Sequence, residues 1–501
     1  MNLVLISQLN YTAKNVQHNN RKILDVYKKN ANNAVELVIF SSFAISGYLR
    51  KPPVPINDFF KKCSEVLEEL ARYTQSYNVP IIIGSATKKQ NKIFNSIFLL
   101  QKEKVLLLAE SDLENNKIHE FTFNEEKIKL CIFNTDLEND LIEEGGGSSD
   151  ILLLMDSRPY TKGKKSSVEK FYHDSKKIIY VNQVGGNGEY VFSGGSFIAF
   201  KKSVNLLRNW QEENKLIDLK KTGQFYVRGN ENYIGDIYQA LMLSLHDYVV
   251  KNNFDKVILG LSGGIDSALV ATIACDALGS AKVRSFMLPS EYTSAESIQD
   301  AQEFASRVNI SHKVLSISTI FDSVKEGLKE IFVGYCSDVA EENIQARIRG
   351  MILMAISNKF GSMLLATGNK SEMSVGYATI YGDMCGGFAP IKDIYKTEVY
   401  ELAKWRNDNI TENSLCYEVN VIPKNIIDKP PSAELRHNQI DQSTLPDYNI
   451  LDSILKMLLD EKETSESILK EGYDIGTVNY IIKLIKQAEY KRLQSSLGPK
   501  L

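Results

Sequence analysis

The stretch VILGLSGGIDSALVATIACDALG, residues 257–279, opens on an apolar run, turns at Ser-Gly-Gly, and continues with apolar residues at helical spacing. The run fits a buried strand and the segment after the turn a helix. In an open α/β sheet, ligands sit where such a strand end leads into a helix N-terminus. Gly263 and Gly264 let the backbone turn sharply and aim amide hydrogens at an anion. Ser262 and Ser267 add hydroxyls, and the helix dipole points the same way. The stretch is therefore a candidate oxyanion cradle. No lysine follows as a Walker loop requires, and Gly260, Ser262 and Asp266 stand at the wrong positions for a dinucleotide GxGxxG. Asp266 inside such a turn suggests a metal ligand.

Working outward, residues 232–253 read as a helix, 282–290 as a strand and 294–309 as a helix. Strands alternating with helices of this length predict a doubly wound parallel sheet. Ahead of it, from Met1 to about Phe200, short Val/Ile/Leu-rich runs such as VELVIFSSF, VPIIIGSA, IKLCIFN and DILLLMD alternate with amphipathic stretches. That predicts a second layered α/β domain with many strands. The polar, poorly periodic segment 205–230 between them reads as a linker.

Bulk properties agree with this division. A chain of 501 residues exceeds one ordinary core, and 43% hydrophobic with 24% charged residues is a globular composition. The net charge of -3 gives no reason to expect a nucleic-acid partner. Six scattered cysteines without a CxxC pair favour a reduced, cytoplasmic setting. No stretch approaches the ~20 apolar residues of a membrane span, so no membrane association is expected.

SGGxDS resembles the pyrophosphate loop of the ATP pyrophosphatases. The similarity narrows at MLPSEYTSAESIQDA (287–301), EENIQARIRGMILMAISNKFG (341–361), LATGNKSEMSVGYATIYGDMCGGFAPIKDIYKTEVYELAKWRN (365–407) and KPPSAELRHNQIDQSTLPDY (429–448), which together resemble NAD synthetase. The resemblance implies that the nicotinate carboxylate of deamido-NAD is adenylated by ATP, and that ammonia then displaces AMP. It implies an ATP site of Gly260, Leu261, Ser262, Gly263, Gly264, Ile265, Asp266, Ser267, Thr367, Lys396 and Ser432, with magnesium on Asp266 and Glu372. For deamido-NAD it implies Asn343, Arg347, Glu372, Tyr377, Ala378, Thr379, Ile380 and Lys491. A homo-oligomer built on a dimeric synthetase core is expected on the same ground.

In the long members of that family a nitrilase-like domain hydrolyses glutamine to supply ammonia. FSSFAISGY (40–48) is similar to the family's FPELALTGY, and YVNQVGGNGEYVFSGGSF (180–197) to its VNQVGGQDELVFDGGSF. The resemblance places a nitrilase-like αββα domain at 1–204, the linker at 205–230 and the synthetase at 231–501. Yet such a hydrolase needs a cysteine nucleophile, a glutamate base and a lysine. Here the glutamate position falls on Ser42, the nucleophile position on Phe133 or Asn134, and no lysine is assigned, since the surroundings of Lys117 do not match. Cys131 lies two or three residues early and reads as a core residue. The expectation is a synthetase fed by free ammonia with a degenerate glutaminase domain. The alternative is glutamine hydrolysis at an unusual site that includes Cys131, and a non-catalytic scaffold is the remaining reading.

Overall fold

The computed structural model describes residues 3–31, 34–50, 56–90, 92–134, 149–163, 177–200, 203–220 and 233–501. The chain divides into two compact units, Met1–Glu231 and Asn232–Lys500.

Besides a two-stranded sheet of β10 (Val184–Asn187) and β11 (Tyr190–Ser193), the first unit carries two six-stranded sheets. One is ordered β14-β1-β2-β3-β4-β5, from Glu213–Asp218, Leu3–Gln8, Leu37–Phe40, Ile81–Lys89, Lys92–Gln101 and Lys104–Asp112. The other is ordered β13-β12-β9-β8-β7-β6, from Ser203–Leu206, Phe197–Phe200, Lys177–Val181, Ile151–Asp156, Glu126–Phe133 and Lys117–Phe123. Each has parallel strands at its centre (β1-β2-β3 and β7-β8-β9) and antiparallel strands outside. Strand side chains alternate between faces, so a strand buried on both sides reads as a continuous apolar run. Val4, Ile6 and Ile39 of one sheet share a core with Leu130, Ile132 and Leu153 of the other. The opposite face of the first sheet is covered by α1 (Val16–Asn30) and α2 (Ile56–Tyr77), through Ile23, Tyr27, Leu67 and Leu70.

The segment read as a linker differs from that expectation. Residues 213–218 form β14, which pairs antiparallel with β1 from Leu3↔Asp218 to Gln8↔Glu213, and β13 reaches Leu206. The remainder, 221–230, lies outside the described residues. Both strands sit at sheet edges, where one side faces solvent and polar residues are tolerated.

In the second unit β15 (Val257–Gly260), β16 (Val283–Met287), β17 (Ser311–Val314) and β18 (Met363–Leu365) form a parallel sheet in the order β17-β16-β15-β18. The winding reverses between β15 and β18, which is the switch point where doubly wound sheets open a crevice at their strand ends. Its helices include α3 (Tyr233–Lys251), α4 (Ile265–Leu278), α5 (Ala295–Arg307), α6 (Ser318–Leu328), α7 (Val339–Phe360), α8 (Lys370–Val375) and α9 (Lys396–Asp408). Helix α4 is almost wholly buried and apolar on every side, as a helix packed all round must be. On its last turn Asp276 forms a bidentate pair with Arg406 of α9 at 2.6 and 2.9 Å, both side chains fully buried, and Tyr238 and Ser414 also bond to Asp276. A buried charge pair is tolerated only when its remaining hydrogen-bonding capacity is met in this way.

Candidate functional site

The glycine loop after β15 is built as its sequence demands. Gly263 has φ +79°, and a Cβ there would stand 2.3 Å from the Ser297 carbonyl oxygen, so only glycine fits. The Ser267 hydroxyl accepts from the Ser262 amide at 3.2 Å and donates to the Gly264 carbonyl at 3.0 Å. Both serine hydroxyls therefore shape the loop, and Gly264 begins α4.

The second wall of the crevice comes from the segment after β18. Asn369 caps α8 by accepting from the Glu372 amide at 3.0 Å, and its side-chain amide donates to Asp266 at 2.9 Å across the switch point. From the start of α9, Lys396 reaches in to pair with Asp266 and, at 3.2 Å, with Glu372. Its side chain is 3% exposed, so this ammonium is screened from water and held by two carboxylates. Burial pulls the Lys396 pKa down, but Asp266 and Glu372 outweigh it and the net shift is upward. Burial pushes the Glu372 carboxyl up, Lys396 draws it back and Asp266 pushes it up again, leaving it at about 8. Two hard oxygen donors that converge on one cation are a donor set suited to magnesium, although no cluster of three or more acidic, histidine or cysteine ligands occurs among the described residues.

Most residues assigned to the second substrate converge on the turn after α8. Thr379 donates from its hydroxyl to Asn343 at 2.8 Å, Arg347 reaches the Ile380 carbonyl at 3.3 Å, and Lys491 donates to the carbonyls of Gly376 and Ala378 at 2.7 and 2.8 Å. The Tyr377 hydroxyl accepts from Gln439 at 3.3 Å. Ser432 lies on the loop 429–440 and bonds within it, to the Gln439 carbonyl. That loop and residues 292–296 line a cavity of about 570 Å³. Sequence reading did not single out Asn369 or Asp383, which accepts from the Thr379 amide at 2.7 Å. Asn369 lies within the quoted TGNKSE motif, and its position before a helical turn is the signal that could have found it.

In the first unit, β7 ends at Phe133 with the side chains of Cys131 and Phe133 on one face, packed with Leu152 and Leu154. Burial raises the Cys131 thiol to about 11, which keeps it protonated near neutrality. Asn134 is fully engaged. Its oxygen accepts from Asn95 at 2.9 Å and Ser157 at 2.8 Å, and its amide donates to the carbonyls of Asp112 and Asn115, both at 2.8 Å. Ser42 is buried beside Gly84, and its hydroxyl has no hydrogen-bond partner among the described residues. Lys117 is exposed at the start of β6.

Comparison with known proteins identifies both units. Residues 237–495 match the family NAD synthase, and residues 3–149 match the family carbon-nitrogen hydrolase. The chain is similar to the glutamine-dependent NAD(+) synthetase of Thermotoga maritima, at 34% identity over 99% of this chain and 96% of the relative. It is similar to that of Rhodobacter capsulatus at 36% identity, over 99% and 95%. Among solved structures, the glutamine-dependent NAD+ synthetase of Acinetobacter baumannii in complex with ADP superposes with a TM-score of 0.75 at 30% identity, covering 100% of this chain and 96% of that one. The enzyme of Cytophaga hutchinsonii, at 18% identity and a TM-score of 0.79, shares the fold. With one family matching more than half of its length and full-length relatives above 30% identity, the chain belongs to the NAD synthases, carbon–nitrogen ligases that here follow a nitrilase-like unit.

Proposed function

We propose that this chain amidates deamido-NAD to NAD, with ATP as co-substrate. The nicotinate carboxylate attacks the α-phosphorus, an oxygen–phosphorus bond forms, and the bond to the bridging oxygen of pyrophosphate breaks. Ammonia then adds to the carbonyl carbon of the mixed anhydride, AMP leaves with the bonding electron pair, and the nitrogen sheds a proton. The observation that carries this reading is the meeting of Asp266, Glu372 and Lys396 beside the glycine loop at the switch point. The ADP bound in the Acinetobacter relative supports an adenine nucleotide here.

The roles follow from chemistry. The glycine loop, with the hydroxyls of Ser262 and Ser267, and the N-terminus of α4 would cradle the pyrophosphate. Lys396 offsets its developing charge, in a setting where water screens little. Asp266 and Glu372 would hold magnesium, which when bound supplies further neutralisation of the leaving group. Asn343, Arg347, Tyr377, Thr379 and Lys491, gathered at one turn, would position deamido-NAD.

Two nitrogen sources divide the reading. Glutamine is the one the comparisons support, since the full-length relatives carry glutamine dependence in their names. They favour it over the free ammonia that the sequence suggests. One observation favours ammonia. Ser42, Phe133 and Asn134 supply neither a base nor a thiol, and Asn134 has every side-chain hydrogen bond filled.

Helix α7 leaves Met351, Met354 and Phe360 exposed, which supports a homo-oligomer that covers them. No described helix is long and apolar enough to cross a membrane. All six cysteines are free, which supports a reduced, cytoplasmic setting.

The test supplies ATP, magnesium and deamido-NAD with either ammonium or glutamine labelled at the amide nitrogen. AMP and pyrophosphate are the expected products, and ADP with phosphate would overturn the adenylation route. Label in NAD establishes glutamine as the donor; turnover with ammonium alone establishes ammonia.

A further inference from the structure

Helix α7 carries two arginines that point in different directions. Arg347 faces the turn at Ile380. Arg349 turns to the sheet, where its Nε donates to the Leu288 carbonyl at 2.8 Å and a terminal nitrogen lies 3.4 Å from the Ser290 hydroxyl. Both partners are neutral. Burial lowers the Arg349 pKa to about 10, with Glu434 and Asp383 pulling it back up, and neither carboxylate forms an ion pair with it among the described residues. Arg349 is half-buried, and a guanidinium partly withdrawn from water and bonded only to neutral acceptors has charge and donors left for an anion.

The helix fixes where that anion would sit. Residues four apart stack along one face, so Gln345, Arg349 and Leu353 form a row. Gln345 donates to the Leu435 carbonyl at 3.0 Å, on the loop that carries Ser432. Leu353 lies 3.2 Å from where a Cβ on Gly260 would stand, at the start of the glycine loop. Arg349 lies between these two contacts, and its own partners Leu288 and Ser290 follow the end of β16, the strand that neighbours β15. Lys396 approaches the same loop from α9, through Asp266 on the first turn of α4. The two cations reach the crevice from different elements.

We propose that Arg349 binds the phosphate that stays with adenosine, the α-phosphate of ATP and of the adenylated intermediate, while Lys396 and the loop amides hold the departing pyrophosphate. This deepens the reading given above and rests on it. An Arg fork suits two oxygens of one phosphate. It would also hold the nucleotide in place between the two chemical steps, after the pyrophosphate contacts are gone.

The full-length protein tests this through product inhibition by AMP and by pyrophosphate, each measured alone, in wild type, Arg349→Met and Arg349→Lys, with melting temperatures alongside. Arg349→Met should weaken AMP inhibition at least tenfold and move pyrophosphate inhibition less than twofold. Arg349→Lys should fall between, keeping charge but losing the fork. An unchanged AMP constant, or equal losses for AMP and pyrophosphate, overturns the assignment. If the methionine variant does not fold, the lysine variant is judged by the same pair of constants. Failure of wild type to form NAD would instead refute the underlying reading.

Discussion

At the scale of single residues, the site is a set of charges that depend on one another. Asp266 is held by Asn369 and Lys396, so its removal takes away a carboxylate without opening a core. Asp266→Ala is expected to lower AMP formation by about a hundredfold in a chain that still folds, with a lower melting temperature because buried Lys396 loses a carboxylate partner, read by parallel activity and thermal scans. Glu372 makes a pH prediction. Its carboxyl is raised from an ordinary 4.5 to about 8, chiefly by burial. A raised acid binds its proton more tightly when folded, so its contribution to stability is full below about 4.5 and is lost as pH climbs through about 8. The melting temperature of wild type, relative to that of Glu372→Gln, should therefore fall between pH 5 and 9. A constant difference would refute the shift.

At the scale of elements, the glycine loop and its helix were legible because one local rule governs each position. Gly263 must be glycine at φ +79° against Ser297. Gly263→Ala should destabilise by about 1–3 kcal/mol, from backbone strain and the clash, and should weaken ATP binding more than Gly264→Ala, as thermal unfolding and KM for ATP would report. Among the strands absent from the sequence reading, β6, β13, β14, β17 and β18 lie at sheet edges. The burial of β17 is exposed at three of four positions, so its sequence SHKV carries no apolar run to detect. Central strands such as β7 and β8 were readable because both faces are buried. Asn369 was legible as a helix cap but not as a partner of Asp266, 103 positions away, and Arg349 was not legible at all, since its partner Leu288 lies 61 positions away. Only the folded sheet brings those partners close.

At the scale of the whole molecule, the two units differ in what the described residues place at their candidate sites. The nitrilase-like unit has kept its double sheet while Asn134 ties the end of β7 to Asn95, Ser157 and the turn after β5. On the ammonia reading, in which the base position falls on Ser42 and no lysine is assigned, Asn134→Cys alone should not create glutamine hydrolysis; ammonia release from glutamine measures this. In the synthetase unit, Arg406→Met would leave Asp276 buried and unpaired, which should cost about 3–5 kcal/mol, visible as a lower denaturant midpoint. The same long-range assembly bears on how the enzyme fails. Asp266 meets Asn369 across 103 residues of chain and Lys396 across 130. The pairings join the segments after β15 and β18 and the start of α9, so no part of the synthetase unit that lacks one of them can hold the reacting groups together. Turnover with ammonium is thus a sensitive gauge of that unit's native structure: in graded urea, the loss of NAD formation should run ahead of or coincide with the loss of hydrogen-exchange protection in α4 and α9, and never trail it.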